Sequence, residues 1–218
     1  MLKADLHHLQ GATGRDKFFD ILGRNKLLVK RRKKYVKTTE SWHYFHKYTN
    51  KLKDKLLTGA NQAYASDITY LRTRKGFVYL FLQTDVYSRM ITGWHLSDSL
   101  SIEGAIRALK MTLRQCGGKT EGIIHHSDRG IQYCCKEYVK VMKEHKMQIS
   151  MTEENHCYEN AMAERVNGIL KQEYLLDETF ADKASALQAV KQAICSYNNH
   201  RPHWSLNLLT PRQVHMVA

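Results

Sequence analysis

Between Tyr64 and Leu96, three segments rich in β-branched and aromatic residues, Tyr64–Leu71, Phe77–Tyr87 and Met90–Leu96, are separated only by short polar turns. Links that short suit hairpins, so the spacing predicts three consecutive antiparallel strands. The period then changes. Ser101 precedes an amphipathic stretch with Ile102, Ile106, Leu109 and Leu113 on one face and Gly117–Gly118 as its stop, which reads as a helix ending near Cys116. A short strand over Gly122–His126, a helix from Gln132 to Lys146 and a fifth strand over Met147–Thr152 follow. Beyond a polar loop at Glu153–His156, helices are expected over Tyr158–Leu175 and Asp182–Tyr197.

This order of elements places the chain in the α/β class, and it resembles the ribonuclease H-like fold, a five-stranded mixed sheet flanked by helices. That core is expected over 61–218, with its last part a helical extension. Residues 1–60 differ in character: 15 Lys and Arg stand there against 5 Asp and Glu, a net charge of +10, whereas the rest of the 218 residues carries only +3. The densest run is Lys30, Arg31, Arg32, Lys33 and Lys34, joined by Lys37. It reads either as a DNA-backbone contact or as a solvated linker. Phe18, Phe19 and Leu22, then Leu27, Leu28 and Val29, give helical spacing from Asp16 with Gly23 as an interruption, so a short basic helical segment is expected at the N-terminus. Thr38–Leu57 has no clean period and reads as an irregular connector packed against the core.

A basic excess of this size attracts polyanions through counterion release, and nucleic acid is the partner it favours. No run approaches the roughly 20 apolar residues that span a bilayer, so a membrane is not expected. The five cysteines form no Cys-x-x-Cys pair, which suggests neither a disulfide framework nor a zinc knuckle and fits a reducing cytoplasm. His43 and His46 have ligand-like spacing but lack the cysteine pair that a zinc module of this kind would need.

Asp67 falls in the middle of the first strand, where a carboxylate is disfavoured unless something compensates for it. Asp128 follows the fourth strand, at the sheet edge where ligand sites gather in open α/β folds. Glu164 lies about two turns into a helix expected to pack on the same sheet. The three are taken as one catalytic and metal-binding site. Like charges held together repel unless a cation binds between them, and oxygen-only clusters suit Mg²⁺, with Mn²⁺ as a substitute. Two such ions can drive in-line displacement at a phosphodiester. Asp85, a rival acid, is read as closing the second strand before the Tyr87-Ser88-Arg89 turn. His125 and His126 abut Asp128, and at most one of them can share its face.

Three segments resemble the acidic motifs of bacterial transposases of the insertion-sequence-three family, which share the retroviral integrase catalytic core. They are Asp67-Ile68-Thr69-Tyr70-Leu71, His126-Ser127-Asp128-Arg129-Gly130-Ile131-Gln132-Tyr133 and Tyr158-Glu159-Asn160-Ala161-Met162-Ala163-Glu164. Thirty-five residues separate Asp128 from Glu164, as in the family's acidic signature. Tyr197-Asn198-Asn199-His200-Arg201-Pro202-His203 with Leu209-Thr210-Pro211 resembles its closing segment. The resemblance implies metal-dependent DNA strand cleavage and transfer at insertion-sequence ends, with Asp67, Asp128 and Glu164 as ligands to two metal ions. It also implies partners: end and target DNA, further copies of the chain on that DNA, and an upstream-frame DNA-binding protein. Asn167 and Lys171, at i+3 and i+7 from Glu164, become candidates for contacting the transposon end, with a solvated lysine as the other reading of Lys171. Arg201 and His203 are read either as DNA contacts or as solvated residues at a helix end.

The chain departs from the family pattern at Tyr64, where tryptophan is common, and at Asn155-His156-Cys157, where glycine is frequent. Gly14–Arg32 resembles only the tail of a helix-turn-helix region. Two other readings remain at this stage: a catalytically silent or truncated DNA-binding regulator of transposition, and a ribonuclease H-like nuclease.

Overall fold

The computed structural model describes residues 14–28, 43–153 and 160–217. The basic run Lys30, Arg31, Arg32, Lys33, Lys34 and the loop Asn155-His156-Cys157 lie outside the described residues. The short N-terminal helix α1 spans Arg15–Arg24 and buries Leu22 alone.

The three strand patterns form β1 (Ala63–Thr73), β2 (Gly76–Asp85) and β3 (Ile91–Ser97), paired antiparallel. Strands β4 (Ile124–Ser127) and β5 (Gln148–Met151) join them in parallel, giving the order β3-β2-β1-β4-β5 with β1 at the centre. Helices α2 (Ile102–Gln115), α3 (Ile131–Cys134) and α4 (Lys136–Glu144) cover one face, over a core of Tyr64, Phe81, Leu109, Tyr138 and Met142. Helices α5 (Ala161–Glu173) and α6 (Lys183–His200) cover the other, over Leu71, Leu80, Leu82, Val166, Leu170, Val190 and Tyr197. Tyr64 is buried in the first of these cores, and its hydroxyl donates to Asn61 Oδ1 at 2.5 Å.

Three features differ from expectation. The single helix over Gln132–Lys146 is two, broken at Cys135, whose ψ of 153° is extended. Tyr133, Cys134 and Cys135 are all buried, and three successive side chains cannot share one stripe of a continuous helix. A two-residue sixth strand, β6 (Thr179–Phe180), pairs in parallel with the end of β1 at Arg72 and Thr73. A short helix α7 (Pro211–Val217) ends the described chain, too brief for a periodic signal.

The closing segment is a clamp on the β2–β3 corner. Asn198 Oδ1 accepts from Ile91 N–H at 3.0 Å while its Nδ2 donates to Ile91 O at 2.9 Å. Tyr197 donates to Arg89 O at 3.0 Å. Asp85 does close the turn: its Oδ1 accepts from the Ser88 N–H and hydroxyl at 2.7 and 2.8 Å, and its Oδ2 from Asn61 N–H at 2.7 Å. Ser88 Oγ in turn stands 2.9 Å from His215 Nδ1 of α7. Arg201 and His203, expected in solvent or on DNA, are buried instead. Arg201 makes a two-pronged pair with Glu173 at the end of α5, both contacts 2.7 Å, and His203 packs edge-on against Tyr197.

Asn198→Ala strips a buried N–H and a buried carbonyl of their side-chain partners. It is expected to lower unfolding free energy by roughly 2 kcal/mol or more, seen as a lower denaturant midpoint at unchanged slope.

Candidate functional site

Strand register brings two of the acids together. Ala65 pairs with His126 across β1 and β4, and both strands run the same way. Asp67 and Asp128 therefore stand two residues further on, each on the same side as its paired residue. That side is the one covered by α5 and α6, because Asp67 is opposite Leu82 on β2, a residue of the core beneath those helices.

Helix α5 supplies the third acid and is tied to β1 beside the first. Asn167 Nδ2 donates to Asp67 Oδ2 at 2.7 Å, and Asn160, at the start of the helix, donates to Ser66 O at 3.3 Å. Glu164 sits one turn before Asn167 and, unlike it, is exposed. The second carboxylate oxygen of Asp67 accepts from Ile68 N–H at 2.9 Å. Asp128 is set by a tight turn in which its Oδ1 accepts from Gly130 N–H at 3.0 Å. A Cβ at Gly130 would stand 3.0 Å from that same oxygen, so any larger residue there presses on the Asp128 carboxylate. The turn is held from outside as well: Arg129 Nε donates to Thr152 O at 2.7 Å, and His43 Nε2 stands 2.8 Å from Arg129 O.

Electrostatics report the proximity of the three acids. Burial pushes the Asp67 carboxyl up to about 7; Asp128 raises it next, and Glu164 adds a smaller push, against the lowering effect of the bonds from Asn167 and Ile68. Among the described residues, no three His, Cys, Asp or Glu side chains are drawn close enough to hold a metal ion. The acids thus share one neighbourhood without forming a closed coordination shell.

Other expected residues fall elsewhere. Lys171 does not project into solvent: it is buried, its Nζ 4.3 Å from the centre of the Tyr70 ring. Asn167 is also buried, and it reaches Asp67 rather than pointing outward. Of the two histidines, His126 shares the side of Asp128 and bonds through Nδ1 to Ser150 Oγ at 2.9 Å. His125 lies in the opposite core, its Nε2 2.7 Å from Ser66 Oγ and 2.8 Å from Tyr138 Oη, and burial holds its pKa down to about 3. Asn160 falls in the third motif segment without a role assigned from sequence, and in the structure it stands just before α5. Here its side chain makes no capping bond and crosses to β1 instead.

Comparison with known proteins agrees with this geometry. An integrase core domain model matches residues 58–157, and a second integrase core domain model matches 145–211. The uncharacterized 31 kDa protein of insertion element IS600 from Shigella sonnei is 32% identical over 201 residues, 91% of this chain and 74% of that protein. The transposase InsF for insertion sequence IS3A from Escherichia coli K12 is 37% identical over 161 residues, covering 73% of this chain and 56% of InsF. The chain thus spans little more than half the length of InsF.

Among solved structures, the HTLV-2 integrase catalytic core domain in complex with magnesium superposes with a TM-score of 0.58 at 19% identity, over 72% of this chain and 98% of that one. The simian T-cell lymphotropic virus intasome gives 0.64 at 17% identity, over 81% and 60%. Likeness at such identities concerns the fold, which is ribonuclease H-like. With integrase core domain models lying across all three acid-bearing segments and a relative matched over most of its length, the chain belongs to the insertion-sequence-three family of transposases.

Proposed function

We propose that this chain cleaves and joins DNA strands at insertion-sequence ends, with Asp67, Asp128 and Glu164 holding two divalent cations, Mg²⁺ by preference and Mn²⁺ in its place. The observation that carries this reading is the Asp67 carboxyl, pushed up to about 7 with Asp128 as the main charged cause. Burial is the largest cause of that rise and the charge of Asp128 the next, so the carboxyl lies out of water beside a second acid, and no cation among the described residues offsets the rise. The donors of the three acids are all carboxylate oxygens, the set that Mg²⁺ and Mn²⁺ prefer. Among the described residues, buried Asn160 Oδ1 and Asn167 Oδ1 meet no hydrogen-bond partner, which leaves polar capacity beside Asp67.

When bound, the ions supply Lewis-acid activation of a water or 3′-hydroxyl and neutralise charge at the scissile phosphate. The chain's own residues orient. Asp67 is fixed on the central strand by Asn167 and Ile68, Asp128 by its turn, and Glu164 by the helix that Asn160 and Asn167 fasten. Preorganisation of this kind spares the site from rearranging as charge develops. Lys30, Arg31, Arg32, Lys33 and Lys34 are assigned to the DNA backbone, and further copies of the chain and an upstream-frame DNA-binding protein to the assembly on DNA. The magnesium-bound integrase core and the intasome among the structural neighbours support the metal and the assembly. No helix among the described residues is long and apolar enough to cross a membrane.

Asp67→Asn, Asp128→Asn and Glu164→Gln are each expected to cut metal-dependent strand cleavage by roughly a thousandfold or more while DNA binding persists. Cleavage retained by any one of them on a labelled insertion-sequence end removes that residue from the site. Cleavage of RNA–DNA hybrids in preference to insertion-sequence ends would move the reading to a ribonuclease H-like nuclease.

A pH effect on stability follows from the same carboxyl. Unfolded, Asp67 loses its proton near the ordinary value of 3.8, whereas folded it keeps the proton to about 7. Across that window the folded state binds more protons, so the metal-free chain loses stability as pH rises. Above about pH 7, Asp67→Asn is expected to recover as much as roughly 4 kcal/mol in chelator, and Mg²⁺ should stabilise the parent more at about pH 8 than at about pH 5. Melting curves that leave the variant no more stable than the parent at high pH rule out the raised Asp67 carboxyl.

A further inference from the structure

The net charge of +10 in residues 1–60 is only partly carried by the run at Lys30–Lys34; Lys47, Lys51, Lys53 and Lys55 belong to the connector, which the structure describes from His43 onward. We infer that His43–Lys55 is a phosphate-contacting strap that holds duplex DNA beside Asp128, an inference that rests on the DNA reading above and locates a contact surface within it.

The strap has two sides. His43, Phe45, Tyr48 and Asn50 turn inward, with Phe45 and Tyr48 packed against the core beneath α2 and α4. Lys47, Lys51 and Lys53 turn outward and are exposed, as is Lys55, and among the described residues none of the four is paired with a carboxylate. Asp54 is the one acid in the segment, and its exposed carboxylate leaves His43–Lys55 with a net positive charge.

It is also stitched to both sides of the Asp128 turn. On one side His43 Nε2 meets Arg129 O at 2.8 Å, one residue beyond Asp128. On the other, Lys51 N–H donates to Ser150 Oγ at 2.8 Å, the same oxygen that bonds His126, two residues before Asp128. Asn50 Oδ1 accepts from Leu52 N–H and Lys53 N–H at 2.9 and 3.1 Å, fixing the turn that carries Lys51 and Lys53. Lys47 acts within reach of the site, since the Cys134 thiol that Asp128 raises is lowered by Lys47 and Arg129. Irregular backbone held by these bonds, with exposed lysines on its outer side, suits a polyanion that needs positive charge along a path rather than base recognition. The cluster of acids makes that necessary: phosphates approaching it meet negative charge, and cations on the adjoining strap offset the repulsion.

The test measures binding of the full chain to a fluorescent duplex of arbitrary sequence by anisotropy, across roughly 50 to 200 mM salt. Replacing Lys47, Lys51 and Lys53 together by alanine is expected to lower the slope of log affinity against log salt by about 2 to 3, the release expected for three lost phosphate contacts. Lys110→Ala, Lys119→Ala and Lys143→Ala, combined, remove the same charge from exposed positions outside the strap and are the control. A smaller slope in the strap variant with the control unchanged supports the inference. Equal changes in both variants, or none in the strap variant while the parent binds, overturn the strap but leave the DNA reading standing. A parent that binds no duplex overturns both.

Discussion

A carboxylate in the middle of the central strand is the constraint on which the surrounding structure depends. Strand interiors favour residues that fit a half-buried pleat, and a desolvated charge there is costly without partners. Two partners are supplied: Ile68 N–H on one oxygen of Asp67 and Asn167 Nδ2 on the other. They do not suffice, because the carboxyl still titrates near 7, with Asp128 the chief charge against it. The balance therefore favours either a proton or a cation, and only the second leaves three carboxylates available as ligands. On the proposed reading stability is given up for metal binding, and the loss is concentrated at one residue.

Such a site demands a frame that does not yield to repulsion. Helix α5 is held at both ends of its contact with the rest of the molecule. Asn160 and Asn167 fasten its first half to β1, and Glu173 at its last turn meets the buried Arg201 from the end of α6. The same stretch of α6 grips the β2–β3 corner through Tyr197 and Asn198, and α7 reaches that corner through His215. The family's closing motif is in this light a brace. Its polar residues look like a nucleic-acid surface in sequence because Tyr, Asn, Arg and His serve equally as DNA contacts and as satisfied interior groups, and only burial distinguishes the two.

That ambiguity marks where sequence reading succeeds and where it stops. The alternation of Tyr64–Leu71 and the turn residues around it suffice to place Asp67 inside a strand, and the pairing of β1 with β4 then sets Asp128 beside it. Helix faces are less legible. Asn167 and Lys171 share a stripe with Glu164, which suggests a common exposure, but α5 runs along β1, with Asn167 at Asp67 and Lys171 at Tyr70, so the stripe is exposed at Glu164 and buried further on. The aromatic contact of Lys171 with Tyr70 joins residues 101 positions apart in sequence, beyond any local pattern. The break at Cys135 and the two-residue β6 escape for the opposite reason, being too short to carry a period.

The distribution of charge completes the physical picture. A nearly neutral core bearing a cluster of acids would by itself repel the polyanion on which it acts, and at physiological salt the attraction of remote cations decays over about 8 Å. Positive charge must accordingly lie close to the acids, and on backbone that does not give way when phosphate arrives. The connector meets both needs, because its hydrogen bonds go to Arg129 and Ser150, on either flank of the Asp128 turn, while its lysines stay in solvent. A segment without helix or strand thereby becomes part of the wall around the Asp128 turn. Its order comes from the loops it binds, and any motion of the Asp128 turn must be shared with it.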